Sequence, residues 1–561
     1  MKNKFSRRKF LKTSALAGAA GMTAPFWTRH AFAAPDSFIT TPAGRKIAAG
    51  PFEPTWESLV KNYKYPDWYR DAKFGIWAHW TAQCVPEQGD WYARNMYIQG
   101  TPANNYHVMT YGHPSKFGFK DIDHIWRAEK WEPEKLMSLY KRAGAKYFFA
   151  LATHHDNLDC FDSKYSEWNS VNVGPKKDIV GTWARVTRAN GLRFGVSNHS
   201  SWANRWLQPA YGYDAEGPMA GVRYDAYTLT KADGKDQWWE GLDPQDLYEQ
   251  RHTPSPNFDK PGSIHTRWDW TNGVSLPDQA YCDKFYNRTA DLIKKYQPDL
   301  LYFDDDALPL WPVSDAGLKI AADFYNSNTT YNNGKLEAVI LGKQLNDVER
   351  QGIVWDIERG TSDRIEPLPW QTDTCIGNWH YDRSVYEHNH YKNASSVIKM
   401  LCDIVSKNGN LLLNIPVRAD GTIDEKEEVV LKGIADWMDM NKECIFGTRP
   451  WKMFGEGPNS EGPPLKVGNF NEGKGKPFTA NDVRFTTKDG VLYMIELGVP
   501  KNDLQIKSLS GAAKLLDKPI GDITLLGSDE KVQWSQDADK LTIKAPAKSP
   551  NEIALVYKIS L

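Results

Sequence analysis

Several features that mark common protein classes are missing from this sequence. The six cysteines are scattered, with no CxxC pair and no spacing typical of a zinc site. There is no glycine-rich loop of the kind that cradles phosphate, and no internal repeat or low-complexity tract. Beyond residue 33, no apolar run is long enough to span a membrane. These absences argue against a zinc-stapled domain, a phosphate-loop enzyme, a repeat protein and a membrane-spanning protein.

A surplus of basic charge is missing as well. The formal net charge is −1 at pH 7. The first 33 residues carry seven basic residues and no acidic one, so the chain without them would have a formal charge of −8. A mildly acidic protein lacks the excess of basic charge that is typical of nucleic-acid-binding proteins. We therefore expect no nucleic-acid partner.

The first 33 residues have the pattern of a twin-arginine signal peptide. Arg7 and Arg8 precede Phe-Leu-Lys, a weakly apolar stretch follows over 13–26, and residues 31–33 match an A-x-A cleavage site. The apolar part is too short and too rich in glycine and alanine to span a membrane stably. The pattern predicts export from a bacterial cytoplasm, to the periplasm or beyond. Because twin-arginine substrates usually fold before export in a reducing compartment, we expect mostly free, buried thiols.

What the sequence does have is length, apolar residues and aromatic rings. Its 561 residues exceed one ordinary domain, and 41% of them are apolar. Predicted strands alternate with amphipathic helices, and polar side chains repeatedly follow the strands instead of preceding them. The strand ends concerned are Trp80, Ala152, Ser197, Phe303 and Trp355. The pattern predicts an α/β fold, either a parallel sheet or a barrel, with its site at the carboxyl ends of the strands.

Two other parts of the chain depart from this alternation of strands and helices. Residues 207–280 are rich in Gly, Pro, Asp, Tyr and Trp, which indicates an insertion that either walls the site or has no contact with ligand. From residue 449 onward, short alternating runs between turn residues predict an all-β sandwich. The predicted organisation is a signal peptide over 1–33, a catalytic domain over 34–448 and a sandwich over 449–561.

The stretch from Pro298 to Asp306 is the centre of the predicted site. Leu300–Phe303 is a short apolar run typical of a buried strand, and three aspartates follow it directly. Asp304, at the strand tip, is the candidate nucleophile. Strand alternation turns Asp305 to the opposite face, where a structural role is expected. The competing interpretation is a solvated acidic turn.

Carboxylates, paired histidines and tryptophans together suggest glycoside hydrolysis. That reaction needs one carboxylate at the anomeric carbon and a second carboxyl group that donates a proton to the leaving oxygen. The candidate proton donor is Glu358, whose pKa an apolar wall at Trp355 would raise and Arg359, if close, would lower. Glu366 and Asp363 are alternatives for this role.

His154 and His155 are adjacent, so their side chains point in different directions at an extended strand end. At least one of them can then reach sugar hydroxyls. Adjacent residues rarely bind one ion together, which disfavours a metal pair. A capped or core histidine is the other interpretation for either residue.

These motifs resemble the α-L-fucosidases of glycoside hydrolase family 29 from about Trp56 to Trp451. Their order and spacing match the family. The matching stretches are KFGIWAHW at 73–80, HHDN at 154–157, WN at 168–169 leading to GPKKD at 174–178, PDLLYFD at 298–304, PWQT at 369–372 and SKNGNLLLNI at 406–415.

The resemblance implies a (β/α)8-like TIM barrel followed by a β-sandwich. It also implies a retaining double displacement at the non-reducing end of a fucosylated oligosaccharide or polysaccharide, with Asp304 as nucleophile. No metal and no organic cofactor are implied, and an oligomer is left open. Trp379 would pack near the methyl group of the sugar. The candidate substrate-binding residues are His79, Asp90, Trp91, His154, His155, Asn198, His199, Tyr302 and Trp379.

The sequence departs from the family pattern at three places. Asp90 stands where a Glu is usual, Asn198 and His199 stand where many members carry a Tyr, and Gln371 stands where a Glu is common. These departures suggest a divergent branch that acts on another linkage or on a related sugar, such as galactose or a sulfated fucose. A non-catalytic fucose-binding protein on the same scaffold is the alternative from a different class.

Overall fold

A computed structural model describes residues 38–42, 46–258, 270, 273–460 and 469–561, so the predicted signal peptide lies outside the described residues. The first eight strands are β1 Phe74–Ala78, β2 Tyr147–Thr153, β3 Arg193–Asn198, β4 Leu300–Asp306, β5 Val339–Lys343, β6 Val354–Asp356, β7 Trp370–Cys375 and β8 Gly409–Asn414. They pair in parallel in chain order, and β8 pairs with β1 to close a barrel. The predicted TIM-type barrel is confirmed.

Fifteen α-helices occur in the described part of the chain. They are α1 Trp56–Asn62, α2 Asp67–Ala72, α3 Tyr92–Asn95, α4 Pro102–Thr110, α5 Phe119–Ile125, α6 Pro133–Arg142, α7 Ile179–Ala189, α8 Ala203–Trp206, α9 Asp225–Thr228, α10 Pro244–Tyr248, α11 Gln279–Tyr296, α12 Ala316–Tyr331, α13 Arg383–Glu387, α14 Ala394–Ser406 and α15 Glu425–Asn441. Five of them (α6, α7, α11, α12 and α14) form crossovers between neighbouring barrel strands, and α15 follows β8. No α-helix joins β5 to β6 or β6 to β7, two connections that are fully described. Other parts of the chain cover this side of the barrel, since every residue of β5, β6 and β7 is buried.

Strand alternation decides which side chains face the barrel interior. In β4, Leu300 and Tyr302 belong to the apolar cluster inside the barrel, while Leu301 and Phe303 pack outward against the helices. A shift of one residue in the pairing register would exchange the two faces, so this pattern fixes the register strongly. Asp304 continues the inward series of β4.

The chain beyond the barrel forms two antiparallel sheets. Its strands are β9 Arg449–Glu456, β10 Val483–Lys488, β11 Val491–Glu496, β12 Leu504–Ile506, β13 Asp522–Leu525, β14 Trp534–Gln536, β15 Leu541–Ile543 and β16 Leu555–Ser560. A five-stranded sheet, β13-β16-β11-β10-β9, and a three-stranded sheet, β12-β15-β14, share one apolar core. The predicted all-β sandwich is confirmed. The other face of the larger sheet packs on the barrel, where Ile495 and Val556 join the main core.

The insertion packs against the loops that follow β1 and β2. The hydroxyl groups of Tyr248 and Tyr97 lie 3.0 Å apart, and Asn157 donates to the carbonyl oxygen of Leu247 at 2.8 Å. All six cysteines of the chain are buried and carry free thiols. No helix among the described residues combines the length and apolar character needed to cross a membrane.

Candidate active site

Asp304 lies at the carboxyl end of the barrel, where two basic side chains hold its carboxylate. Nε2 of His155 donates to Oδ2 of Asp304 at 3.1 Å, and Nδ1 of His155 donates to the carbonyl oxygen of His199 at 2.7 Å. A carbonyl oxygen can only accept, so the bond from Nδ1 fixes the ring with Nε2 directed at the carboxylate. The hydrogen bond from His155 favours the carboxylate form of Asp304.

Lys343, the last residue of β5, joins the two predicted catalytic carboxyl groups. Its Nζ lies 2.5 Å from Oδ1 of Asp304 and 2.5 Å from Oε2 of Glu358. Burial lowers the pKa of Lys343, but the acidic neighbours, Asp304 first, raise it well above its usual value. Lys343 is not among the site residues predicted from the sequence. Its position at the end of a buried apolar strand is the signal that could have identified it, because polar side chains of the site follow such strands.

The two carboxyl groups have pKa values shifted in opposite directions. Burial raises the pKa of Asp304, but Lys343 and the neighbouring histidines outweigh burial, so its pKa lies well below the usual range. Burial raises the pKa of Glu358 to about 7, with Lys343 opposing and the acid Asp373 reinforcing the shift. Near neutral pH, Asp304 is ionised and Glu358 is partly protonated. A nucleophile must be ionised and a general acid must be protonated, and the two environments provide these two states.

The predicted causes of the Glu358 shift were wrong in detail. Trp355 does not wall Glu358, because strand alternation turns its ring outward to stack under Arg350, 3.4 Å from the guanidinium carbon. Arg359 does not oppose the shift, because its guanidinium donates to Cys375 and to the carbonyl oxygen of Gly377.

Two further buried acids surround the catalytic pair. The hydroxyl of Tyr302 donates to Oδ2 of Asp373 at 2.8 Å, and Nε2 of Gln371 donates to Oδ1 of Asp356 at 2.8 Å. Burial raises the pKa of both acids. Tyr302 is thus engaged inside the barrel. The amide at position 371 donates to Asp356 whatever the protonation state of that acid, whereas a glutamate there would need a proton on one of the two carboxyl groups.

Five buried histidines form a cluster next to Asp304. The rings of His79, His154, His155, His199 and His380 lie with centroids 4.7 to 5.4 Å apart. Burial, followed by the charges of neighbouring rings, lowers the pKa of His79 and His154 well below the usual value. Both nitrogens of His79 lack a hydrogen-bond partner among the described residues. Neutral rings with available nitrogens suit sugar hydroxyls.

The same cluster contains two sets of potential metal ligands. In each set, one ligand atom per residue lies within 4.8 Å of the others. The sets are His79, His154 and His199, and His155, His199 and Asp304. These are the donor atoms that a metal ion could use, so the absence of a metal stays a prediction.

Aromatic and acidic residues form the rim of the site. The Trp379 ring lies 5.5 Å from the His79 ring, and Oδ1 of Asp90 accepts the backbone N–H of His380 at 2.8 Å. Asp90 therefore ties the loop after β1 to the loop after β7. Trp91 follows in the left-handed conformation, with φ 66°, and begins α3. Trp206, just before the insertion, lies 5.6 Å from the rings of both His154 and His155.

Three candidate residues are not brought to Asp304. The amide nitrogen of Asn198 donates to Thr289 on α11 at 2.9 Å, and its oxygen accepts from Ser200, so the side chain faces away from the pocket. Glu366 accepts from Ser362 at 2.6 Å, and its backbone N–H bonds to Lys407 just before β8, at the opposite end of the barrel. Asp363 lies near the charge of Lys407 as well.

A (β/α)8-like barrel with two buried carboxyl groups of opposite pKa shift beside a cluster of buried histidines has the groups that glycoside hydrolysis requires. A family model for alpha-L-fucosidase matches residues 39–443, and a model for the alpha-L-fucosidase C-terminal domain matches residues 476–560. Because the first match covers more than half of the sequence, the chain belongs to the alpha-L-fucosidase family.

Individual relatives are similar over nearly their whole length. Tissue alpha-L-fucosidase of Rattus norvegicus is 25% identical over 508 residues, covering 88% of this chain and 87% of the relative. The Homo sapiens tissue alpha-L-fucosidase is 25% identical over 523 residues, covering 90% and 89%. A solved structure of the Thermotoga maritima alpha-fucosidase in complex with fucose is 25% identical, covers 91% of this chain and 100% of that chain, and has a TM-score of 0.62.

Proposed function

We propose that this enzyme is a retaining exo-α-L-fucosidase that releases terminal fucose from exported or environmental glycans. One observation carries the proposal. Oxygen atoms of Asp304 and Glu358 each lie 2.5 Å from Nζ of Lys343, so they are no more than about 5 Å apart. Carboxyl groups about 5–5.5 Å apart are typical of retaining glycosidases, whereas inverting enzymes need about 6.5–9.5 Å to admit a water molecule.

The two steps follow from the charge states of the pair. Ionised Asp304 attacks the anomeric carbon while the bond to the leaving oxygen breaks and Glu358 gives that oxygen its proton. Water then attacks the anomeric carbon of the fucosyl ester, Glu358 takes a proton from the water, and the Asp304 carboxylate leaves. Fucose with retained configuration and the original enzyme result.

The sugar pocket has groups for each part of a fucosyl unit. His79, His154 and His199 have neutral rings whose nitrogens can bond hydroxyl groups. Trp379, half-buried, gives an apolar surface for the methyl group and the C–H face of the sugar. The similarity to a fucose-bound structure supports fucose as the sugar. Among the predicted contacts, Asn198 is the least supported, because its side chain bonds Thr289.

The proposed cellular place rests on the sequence. The twin-arginine pattern of residues 1–33 supports export of the folded chain, and we propose a periplasmic or secreted bacterial enzyme. A fractionation experiment with the full chain tests this, with replacement of Arg7 and Arg8 by lysine as the comparison. Unchanged export of that variant would contradict the twin-arginine route.

The catalytic proposal is tested with Asp304→Ala. We expect loss of aryl α-L-fucoside hydrolysis by at least about 10³-fold with unchanged folding, and partial rescue by azide, which would yield the β-fucosyl azide. Turnover of the wild-type enzyme is compared on aryl α-L-fucoside, aryl α-D-galactoside and a panel of fucosylated oligosaccharides. Preferred hydrolysis of the galactoside, or fucose binding without hydrolysis, would replace the proposed function by one of its alternatives.

A further inference from the structure

A segment of the C-terminal region binds the backbone at the candidate acid. This segment, Asn469–Glu472, lies between β9 and β10 and is here called the C-terminal loop. The backbone N–H of Glu358 donates to Oδ1 of Asn469 at 3.0 Å. The backbone N–H of Phe470 donates to the carbonyl oxygen of Glu358 at 2.7 Å. Both backbone polar groups of Glu358 are thus bonded to residues more than 100 positions away.

The contact continues along both segments. The N–H of Glu472 donates to the carbonyl oxygen of Arg359 at 2.8 Å. Asn471 bonds Thr361 twice, accepting its N–H at 2.9 Å and donating to its carbonyl oxygen at 2.9 Å. The carboxylate of Glu472 is anchored on the barrel, because it accepts from Thr374 of β7 at 2.8 Å. The C-terminal loop therefore lies along residues 358–361 and is joined to them by hydrogen bonds from both backbone and side chains.

The backbone on both sides of this contact is strained. Arg359 has φ 44° and Phe470 has φ 59°, values in the left-handed region that residues other than glycine rarely adopt. Such conformations are unfavourable and persist where the surrounding structure holds them.

The barrel supports the residues on both sides of Glu358 through β7. Ile357 and Arg359 donate their backbone N–H groups to β7, and the hydroxyl of Thr372 donates to the carbonyl oxygens of Ile357 and Gly360. The hydrogen bonds of the Glu358 backbone itself come from the C-terminal loop.

We propose that Asn469 is a positioning residue for the general acid, so that the C-terminal loop completes the active site. This rests on the proposed role of Glu358. Glu358 must keep its carboxyl group at the leaving oxygen while its neighbour Arg359 is held in a strained turn. The side-chain amide of Asn469 fixes the N–H of Glu358, and the hydrogen bond from Phe470 fixes its carbonyl oxygen. The sandwich thereby has a catalytic purpose beyond covering the barrel.

The test compares Asn469→Ala with Asn471→Ala in the full chain. The two asparagines lie two positions apart in the same loop, but Asn471 bonds Thr361 and not Glu358. For Asn469→Ala we expect kcat to fall about 10-fold or more on a fucosyl disaccharide and by less than about 3-fold on an aryl fucoside with an activated leaving group, since only the poor leaving group needs protonation. For Asn471→Ala we expect changes that are equal on both substrates. Thermal unfolding of both variants shows whether a loss of turnover comes from a loss of folded protein or from displacement of Glu358 in a folded enzyme.

A second variant covers the case in which Asn469→Ala does not fold. Asn469→Asp keeps an acceptor oxygen for the N–H of Glu358. We expect this conservative variant to keep turnover of the fucosyl disaccharide within about 3-fold of the parent enzyme, because the hydrogen bond that positions Glu358 is kept. A loss of disaccharide turnover of more than about 10-fold in folded Asn469→Asp, or equal losses of Asn469→Ala on both substrates, would overturn the proposal.

Glu358→Gln separates this inference from the proposed function. A leaving-group-dependent loss in Glu358→Gln combined with a uniform effect in Asn469→Ala would refute the positioning role alone. A uniform loss in Glu358→Gln would refute the role of Glu358 itself, and the inference with it.

Discussion

Asp304 and Lys343 form a buried ion pair in which Nζ of the lysine lies 2.5 Å from Oδ1 of the aspartate. The same ammonium group contacts Glu358, yet the two acids differ in protonation. Burial raises the pKa of both acids. For Asp304, Lys343 and the hydrogen bond from His155 outweigh burial, whereas for Glu358 the nearby acid Asp373 reinforces it and the pKa is about 7. The surroundings of the shared cation, and not the cation itself, separate the proposed nucleophile from the proposed acid.

Replacing Lys343 by methionine should remove the charge that stabilises Asp304 as a carboxylate. We expect kcat/KM to fall by about 10²-fold or more, since an uncompensated buried acid tends to take up a proton. The acidic limb of the pH profile should move to higher pH, because Lys343 is the largest influence that lowers the pKa of Asp304. Steady-state kinetics from pH 4 to 9 measure this. The continued absence of an acidic limb in the Lys343→Met variant over this range would contradict the assigned electrostatic role.

The pH dependence of the wild-type enzyme follows from Glu358. The free enzyme is active with Glu358 protonated, so kcat/KM on a natural linkage should decrease as pH rises through about 7. Asp304 stays ionised at every pH above its lowered pKa, so no acidic limb from this group is expected above roughly pH 4. Activity that rises through pH 7 would show that Glu358 acts as a base in the first step.

Glu366 and Glu358 are distinguished by matched substitutions. Glu366→Gln should keep turnover within about 3-fold, because its carboxylate bonds Ser362 at the far end of the barrel. Glu358→Gln should reduce turnover of a natural linkage by about 10²-fold or more. The comparison uses one fucosyl disaccharide for both variants. A larger loss in Glu366→Gln would reassign the proton donor.

The sandwich is fastened to the barrel by a buried ion pair. Nε of Arg484 on β10 lies 2.6 Å from Oδ1 of Asp403 on α14, and both residues are buried. Arg484→Met should lower the free energy of unfolding by about 3 kcal/mol, because Asp403 loses one of its two cationic partners. The control is Arg185→Met, which removes an exposed ion pair with Glu134 and should change stability by less than about 0.5 kcal/mol. Chemical denaturation followed by circular dichroism measures both, and equal effects would argue against a structural role for the buried pair.

Much of the fold could be predicted from the sequence, as could candidates for both members of the proposed catalytic pair. Strand alternation is local, so the run Leu300–Phe303 predicts that Asp304 faces inward and that Asp305 faces outward. In the structure, Asp305 accepts from Ser201 on the outer side, as expected. The same alternation turns Asn198 outward, where its side chain bonds Thr289 on α11. The prediction that Asn198 binds substrate did not take this into account.

By itself, the sequence determined the barrel, the sandwich and the position of Asp304, because periodicity within a few residues reports which face of an element is buried. Only the tertiary structure decided that Lys343 joins Asp304 to Glu358, that Glu366 lies at the other end of the barrel, and that Asn469 bonds the backbone of Glu358. Those contacts connect residues 39 and 111 positions apart. Strand register, barrel closure and the docking of the sandwich set such distances, and no local pattern of side chains contains them.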